Sequence, residues 1–269
     1  MAGYAAGSHV RNRTWLTGET LWADVTAKSP GNGRAWMNYG TALMARGAYA
    51  EARQCYERAA PLTPNYWALE TNRAIVEDAL GSPAVAETHF RRAIELGPMQ
   101  PDTHFFFARW LARAGRGPEA VQHLESALRL SPGAAAPRGL LMDLLAAVGD
   151  SRGAALLARE TLEAEPTNVR ARAYLEGGFP AEFGSDAAAR RRSGISLGQQ
   201  GDYVASALAY RAALHLEPRD ADSLNNMGWT MGKLGFFSQG IPPLEKAIAL
   251  RPDYTLARNN LAWVRSQIK

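Results

Sequence analysis

The sequence predicts an all-α protein, an α-solenoid in which successive helix hairpins stack on one another. Prolines recur every 34 residues, at positions 30, 64, 98, 132 and 166, and return with the same spacing at 218 and 252. A glycine recurs near the middle of each interval, and small and large side chains alternate at fixed places. A constant period of about 20–50 residues is typical of stacked helical or strand repeats. The periodicity here is helical, which favours helix pairs.

The spacing divides most of the chain into six repeats of 34 residues. With proline at position 32, the repeats are 33–66, 67–100, 101–134, 135–168, 187–220 and 221–254. Glycine at position 15 supplies the left-handed residue that ends a first helix. Proline cannot continue a helix and ends the second one. The position-15 glycines are Gly47, Gly81, Gly115, Gly149, Gly201 and Gly235.

Two further positions predict how the paired helices pack. Position 8 is Gly or Ala in five of the six repeats, and position 24 is large in five: Tyr56, Phe90, Leu124, Tyr210 and Leu244. A small residue allows close helix approach, and a large one fills the groove beside it. Repeat four exchanges the sizes, with Met142 at position 8 and Ala158 at position 24. We expect the missing volume at Ala158 to accommodate Met142.

The segments outside the repeats have their own predicted roles. Residues 1–32 form an N-terminal arm and a half-repeat, followed by four repeats over 33–168. Residues 169–186 extend repeat four with a capping helix and then a loop, before two repeats over 187–254 and a C-terminal capping helix at 255–269. Two interpretations of the 177–186 loop stay open. It is a long surface loop, or a hinge between a four-repeat and a two-repeat lobe.

The repeat resembles the tetratricopeptide repeat (TPR) family. Repeat one carries the best match, and the pattern covers all six repeats; the matching residues are Trp36, Tyr39, Gly40, Gly47, Ala52, Tyr56, Ala59 and Pro64. The resemblance implies a right-handed α-solenoid of six hairpins with a half-repeat at each end. It also implies that the first helices line a concave face, where a protein or peptide ligand binds.

Composition and motifs exclude several classes of function. The net charge of +4 is too small to indicate nucleic-acid binding, and the single cysteine, Cys55, excludes both an intramolecular disulfide and a cysteine metal site. No apolar run is long enough to insert in a membrane, and the first thirteen residues lack the apolar core of a signal peptide. Hydrolase, zinc-protease and nucleotide-binding motifs are absent, so we expect no catalysis by this segment itself, no metal and no cofactor.

Asparagines at position 6 are the first candidate binding residues. Asn38, Asn72, Asn226 and Asn260 share this position, which the resemblance places on the concave face. Their amides can hydrogen-bond a peptide backbone without reading its side chains. The series resembles the asparagine ladder in the superhelix of O-linked N-acetylglucosamine transferases, although three central repeats interrupt it. The alternative is that each amide hydrogen-bonds an adjacent helix.

Two other groups complete the candidate peptide-binding residues. Phe105, Phe106, Arg109 and Arg113 lie on the first helix of repeat three. Arginine beside aromatic rings suits carboxylates. The second group lies near the C-terminus and contains amides and tryptophans, which either stack on a ligand ring or pack between repeats. The remaining candidates are Arg191 and Arg192 in repeat five, and Asn225, Trp229, Lys233, Asn259 and Trp263 near the C-terminus.

The first thirty residues carry a second resemblance. The run L-W-x-D-x-x-x-x-S-P-x-N before repeat one is similar to the junction in membrane-embedded glycosyltransferases of the protein O-mannosyltransferase type. It implies an acceptor-recognition domain outside the cytoplasm, with Arg11 and Arg13 beside the membrane. The main hypothesis remains a protein-interaction scaffold, and a third is self-assembly, in which the half-repeat docks into a second copy and gives a homo-oligomer.

Overall fold

The computed structural model describes residues 17–176, 178–179 and 181–268. Within those ranges the chain forms fifteen α-helices and one short 3-10 helix, and no strand. The chain divides into two compact modules, Met1–Phe106 and Phe107–Lys269. The arm preceding residue 17, with Arg11 and Arg13, lies outside the described residues. None of the described helices is both long and apolar enough to cross a membrane.

The N-terminal module contains five helices and the start of a sixth. Thr17 begins the first of them, since its hydroxyl accepts the backbone amide of Thr20. This helix occupies the place predicted for the half-repeat. The module core contains Leu43, Tyr56 and Leu69, all nearly inaccessible to solvent. The helices are α1 (Gly18–Lys28), α2 (Gly33–Ala45), α3 (Tyr49–Ala59), α4 (Trp67–Ala79), α5 (Pro83–Leu96) and α6 (Pro101–Arg113), the last of which continues into the second module.

The C-terminal module contains the end of α6 and nine further helices. They pack in successive hairpins, except where the insert between repeats four and five intervenes. The helices are α7 (Gly117–Leu130), α8 (Ala135–Val148), α9 (Ser151–Ala164), α10 (Val169–Leu175), the 3-10 helix (Ala181–Phe183), α11 (Ala187–Gln199), α12 (Tyr203–Leu216), α13 (Ala221–Lys233), α14 (Phe237–Leu250) and α15 (Thr255–Ser266).

The glycine signal places the turns correctly. All six position-15 glycines have a left-handed backbone, with φ between 76° and 92°. Each of them follows the first helix of a predicted repeat, and a second helix begins shortly afterwards. The prediction of paired helices separated at these glycines is therefore confirmed, and α15 occupies the position predicted for the C-terminal cap.

Helix pairing at positions 8 and 24 follows the predicted size rule. A Cβ atom at Gly40 would lie 2.6 Å from Tyr56 Cε1, and one at Gly194 would lie 2.7 Å from the same atom of Tyr210. The two helices of these hairpins are thus so close that the tyrosine ring leaves no space for a side chain. In repeat four, where the sizes are exchanged, Met142 and Ala158 are both buried.

The insert between repeats four and five has two structured parts. Helix α10 packs along α9, as the first helix of a further repeat would. The 3-10 helix then buries Phe183, whose carbonyl oxygen accepts the hydroxyl of Ser193 on α11 at 3.1 Å. The insert is therefore fastened at both ends, to repeat four by α10 and to repeat five by Phe183.

After the insert, repeats five and six lie against repeats three and four within the C-terminal module. Helix α12, the second helix of repeat five, packs on α8, the first helix of repeat four. Arg211 Nε on α12 donates a hydrogen bond to the Ala147 carbonyl oxygen of α8 at 2.7 Å. The turn before α7 meets the turn before α14, where the Gly117 amide donates to the Leu234 carbonyl oxygen at 2.8 Å.

Candidate functional site

The predicted asparagine ladder makes contacts between helices. In the N-terminal module, Asn72 Nδ2 on α4 donates to Thr41 Oγ1 on α2 at 3.3 Å, and Asn38 on α2 is half-buried. The Thr41 hydroxyl also lies 3.3 Å from the Tyr56 hydroxyl. Asn72 therefore connects two successive repeats, which is the arrangement expected from the alternative interpretation of the ladder.

The C-terminal part of the ladder forms a chain of amides. Asn260 Nδ2 donates to Asn225 Oδ1 at 2.9 Å, and Asn225 Nδ2 donates to Asn226 Oδ1 at 3.0 Å. Asn225 is completely buried, whereas Asn259 is exposed. Asn226 also hydrogen-bonds the hydroxyl of Tyr210. These amides use much of their hydrogen-bonding capacity within the protein, between α12, α13 and α15.

Arg109 and Arg113 face the turn between α11 and α12. Both line a cavity of about 290 Å³, which we name the arginine pocket. Its apolar wall comes from Leu140, Tyr203 and Val204, and its other polar lining comes from that same turn. The full lining is Arg109, Ala112, Arg113, Leu140, Gln200, Gly201, Asp202, Tyr203 and Val204.

Tyr203 connects the arginine pocket to the predicted C-terminal patch. Its ring meets the ring of Trp229 edge-on, with centroids 5.9 Å apart. Lys233 Nζ lies 5.6 Å from the Tyr203 centroid and 5.8 Å from that of Trp229. A cation at this distance is attracted by the ring faces, so the three side chains order one another. Trp263, by contrast, packs edge-on against Phe237 at 6.4 Å.

A larger cavity of about 560 Å³ adjoins the arginine pocket and shares Leu140, Gln200, Asp202 and Val204 with it. We name it the Asp143 cavity. Asp143 on α8 accepts a hydrogen bond from the Tyr174 hydroxyl at 2.9 Å and pairs with Arg170, which also pairs with Glu182. Burial raises the pKa of Asp143 above the usual carboxyl range, because desolvation outweighs the opposing charge of Arg170.

Comparison with known protein families bears on the repeat fold of the chain. The family model described as tetratricopeptide repeat matches residues 5–66 and 71–135. Together with the repeated glycine turns and the helix pairs, this match decides the classification. The matched residues belong to the tetratricopeptide repeat family.

A solved TPR structure shows the same fold. The C-terminal part of a TPR repeat-containing protein from Cytophaga hutchinsonii is 13% identical, with a TM-score of 0.52 and coverage of 96% of this chain and 98% of that one. The anaphase-promoting-complex assembly Cut9–Hcn1 is 17% identical, with a TM-score of 0.49. The alignment covers 94% of this chain but only 46% of the matched chain. A search of curated proteins found no match.

Four other candidate residues are not among those that line the arginine pocket. Arg191 Nη1 pairs with Asp220 Oδ2 at 2.8 Å, which raises the pKa of Arg191 through hydrogen bonding and charge, and Arg192 is exposed. Phe105 and Phe106 are half-buried neighbours with ring centroids 5.5 Å apart. The structure therefore brings together Arg109 and Arg113, and through Tyr203 adds Trp229 and Lys233.

Several lining residues were not predicted from the sequence. Gln200 and Asp202 lie in a turn that the repeat pattern treats as a connection between helices, and Val204 lies in the first turn of α12. Asp143 had a usable signal, because it is the single charge in the apolar run LLMDLLAAV. A lone buried carboxylate needs partners, and here Arg170 and Tyr174 of the insert supply them. Among the described residues, no cluster of His, Cys, Asp and Glu could hold a metal ion.

Proposed function

We propose that this TPR protein is a protein-interaction scaffold, and that the arginine pocket and the Asp143 cavity together bind an extended segment of a partner protein. The observation that carries the proposal is the convergence of Arg109 and Arg113 with an apolar wall in one cavity. TPR domains are generally non-catalytic scaffolds, which agrees with the absence of catalytic motifs from the sequence.

The lining indicates which segment fits. Arg109 and Arg113 suit the carboxylate of an aspartate or glutamate, since guanidinium groups form paired, charge-assisted hydrogen bonds with carboxylates. Leu140 and Val204 suit an apolar side chain next to it. The adjoining Asp143 cavity, with Glu182 exposed at its edge, accommodates further residues of the same segment. The partner is therefore a protein with an acidic residue beside apolar ones in an extended stretch.

The test is selection of peptides from a random displayed library with the intact chain, followed by affinity measurement on the selected peptides. We expect the selected sequences to contain an acidic residue. We expect Arg113→Glu to weaken their binding at least about tenfold, because it removes a charge-assisted contact and adds repulsion. Arg129→Glu is the matched control, since Arg129 is an exposed arginine on α7 that does not line the pocket.

Two results would refute this assignment. One is that no peptide is enriched at low or moderate salt. The other is that enriched peptides bind Arg113→Glu and Arg129→Glu equally well, which would place their site elsewhere on the protein. Replacement of the acidic residue in a selected peptide by its amide should reproduce the loss seen with Arg113→Glu.

A further inference from the structure

A further cavity of the C-terminal module shares no residue with the arginine pocket or with the Asp143 cavity. It has a volume of about 470 Å³ and lies where the insert, the start of α9 and helices α12 to α14 meet. We name it the Arg211 pocket. Its lining is Ser151, Phe179, Arg211, Leu214, His215, Pro218, Leu224, Met227, Pro242, Pro243 and Lys246.

The polar part of this lining is basic. Arg211, His215 and Lys246 contribute to it, and no aspartate or glutamate does among the described residues. Arg211 on α12, Lys246 on α14 and the absence of a carboxylate from this lining make the cavity a favourable place for an anion. Lys246 is exposed at the rim, and the His215 ring meets Phe179 edge-on with centroids 6.0 Å apart.

Arg211 is the central cation. Its Nε donates to the Ala147 carbonyl oxygen, and its guanidinium lies so close to Gly149 that a Cβ there would overlap it. This contact with the C-terminus of α8 satisfies the Nε donor of Arg211 and favours the positive charge of its guanidinium group. The described contacts include no carboxylate for the two Nη groups. Desolvation lowers the pKa of Arg211, so its charge is held at a cost that an anionic ligand would reduce.

The remaining walls define the rest of the ligand. Leu214, Met227 and Pro243 are apolar, so a fully hydrated ion such as inorganic phosphate would use only part of the cavity. Asp150 directly precedes Ser151 and caps α9, with Oδ1 accepting the Gly153 amide at 2.8 Å. A carboxylate beside the cavity disfavours a doubly charged ligand more than a singly charged one.

We infer that the Arg211 pocket binds a carboxylate carried on an apolar group, with Arg211 and Lys246 contacting the carboxylate and the Leu214, Met227 and proline wall contacting the apolar part. The carboxylate comes from a free aliphatic or aromatic acid, or from the last residue of a protein chain. The inference does not depend on the proposed function, because the two cavities have no residue in common.

The test is titration of the intact chain with N-acetyl-phenylalanine and with its neutral amide, followed by nuclear magnetic resonance. We expect the acid to shift the signals of α12 and α14 residues, and the amide to bind at least about tenfold more weakly. A tripeptide with the same free C-terminal residue distinguishes the sources, since tighter binding of the tripeptide indicates a protein C-terminus and equal binding indicates a free acid.

Lys246→Gln is the first variant, because its exposed side chain leaves the fold intact, and Arg211→Lys is the second. Both should weaken binding of the acid several-fold, whereas Arg113→Gln in the arginine pocket should not change it. Equal binding of acid and amide would overturn the inference. So would the absence of any acid-dependent shift up to the solubility limit, or an unchanged affinity in Lys246→Gln and Arg211→Lys.

Discussion

The backbone amide of Gly117 donates a hydrogen bond to the carbonyl oxygen of Leu234 over 2.8 Å. The two residues belong to repeats three and six, and they bring the interhelical turns of those repeats into direct backbone contact. Gly235 and Gly115 lie at the same place, and a Cβ atom on Gly235 would overlap the Gly115 carbonyl oxygen. Repeat six is thus held against repeat three by a backbone hydrogen bond, whereas repeat five is held to repeat four by the Arg211 side chain.

This contact can be tested with two glycines of the same conformation. Gly235 and Gly201 have φ values of 81° and 80°, but a Cβ on Gly201 would meet nothing within 4 Å. Both alanine substitutions introduce left-handed strain of about 1–2 kcal/mol. We expect Gly235→Ala to reduce the free energy of unfolding by roughly 1–3 kcal/mol more, because the two turns must also separate. Urea unfolding of the two variants measures the difference.

Equal losses of stability in the two variants would mean that the turns do not touch in solution. In that case the alternative interpretation of residues 177–186 as a hinge between separate lobes would gain support. Limited proteolysis of the 177–186 segment gives a second measurement, since Gly235→Ala should accelerate cleavage there if the contact restrains the insert.

The sequence predicted the hairpins but not this contact, for a physical reason. Glycine and proline act locally, and Gly115 and Gly235 end their helices as their repeat positions require. The contact between them depends on the path of the insert, which lies outside the 34-residue repeats. The hydrogen bond there joins a backbone amide and a backbone carbonyl group, so no pattern of side chains in the sequence predicts it. The position of Gln200–Val204 beside Arg109 has the same cause.

The close helix pair at Gly40 provides the second stability test. We expect Gly40→Leu to cost roughly 1–3 kcal/mol, because a Cβ at Gly40 would already lie within 2.6 Å of the Tyr56 ring. Gly139 is the control, since it lies inside α8 with nothing within 4 Å of its Cβ direction. Gly139→Ala should stabilise the protein by about 0.5–1 kcal/mol through helix propensity.

Thermal unfolding followed by circular dichroism compares the Gly40 and Gly139 variants. The midpoint should fall for Gly40→Leu and rise slightly for Gly139→Ala. If Gly40→Leu leaves the midpoint unchanged, the pairing of positions 8 and 24 is looser than the distances indicate, and the packing argument for the other hairpins loses its basis.

The amide chain at the C-terminus separates a structural role from a binding role. Asn225 is fully buried and bonded on both sides, to Asn260 and to Asn226, whereas the neighbouring candidate Asn259 is exposed. We expect Asn225→Ala to cost about 1–3 kcal/mol, because the buried partners lose their hydrogen bonds. Asn259→Ala should stay within about 0.5 kcal/mol. Urea unfolding curves of the two variants provide the comparison, and similar values would exclude the structural role.

Asn72 gives the corresponding test in the N-terminal module. Its bond to Thr41 is long and partly exposed, so we expect Asn72→Ala to change the free energy of unfolding by less than about 1 kcal/mol. Binding of library-selected peptides to this variant shows whether the amide also contacts a ligand. The sequence predicted the position of the ladder but left open what each amide bonds, because asparagine has the same donors and acceptor for either role.

The pH dependence of stability depends on Glu70 in α4. Its carboxylate accepts hydrogen bonds from His89 Nδ1 at 2.6 Å and from Arg73 Nη1 at 3.0 Å. Burial alone would raise the pKa of Glu70, but these two partners outweigh it and lower the pKa below the usual carboxyl range. A lowered folded-state pKa adds stability above the unfolded-state pKa, and this stability is lost as the pH falls through the folded-state value.

We therefore expect Glu70→Gln to be less stable than the parent by roughly 1–2 kcal/mol at pH 7, since it loses charge-assisted hydrogen bonds. The gap should narrow as the pH falls below the usual carboxyl range, because Glu70 then becomes neutral in the parent as well. Urea unfolding at several pH values between 7 and about 3 follows the gap. Glu95→Gln is the control, because the Glu95 side chain is 66% exposed and its pairing with Arg92 should contribute little. A gap that stays constant over this pH range would show that the charge of Glu70 does not stabilise the contact between α4 and α5.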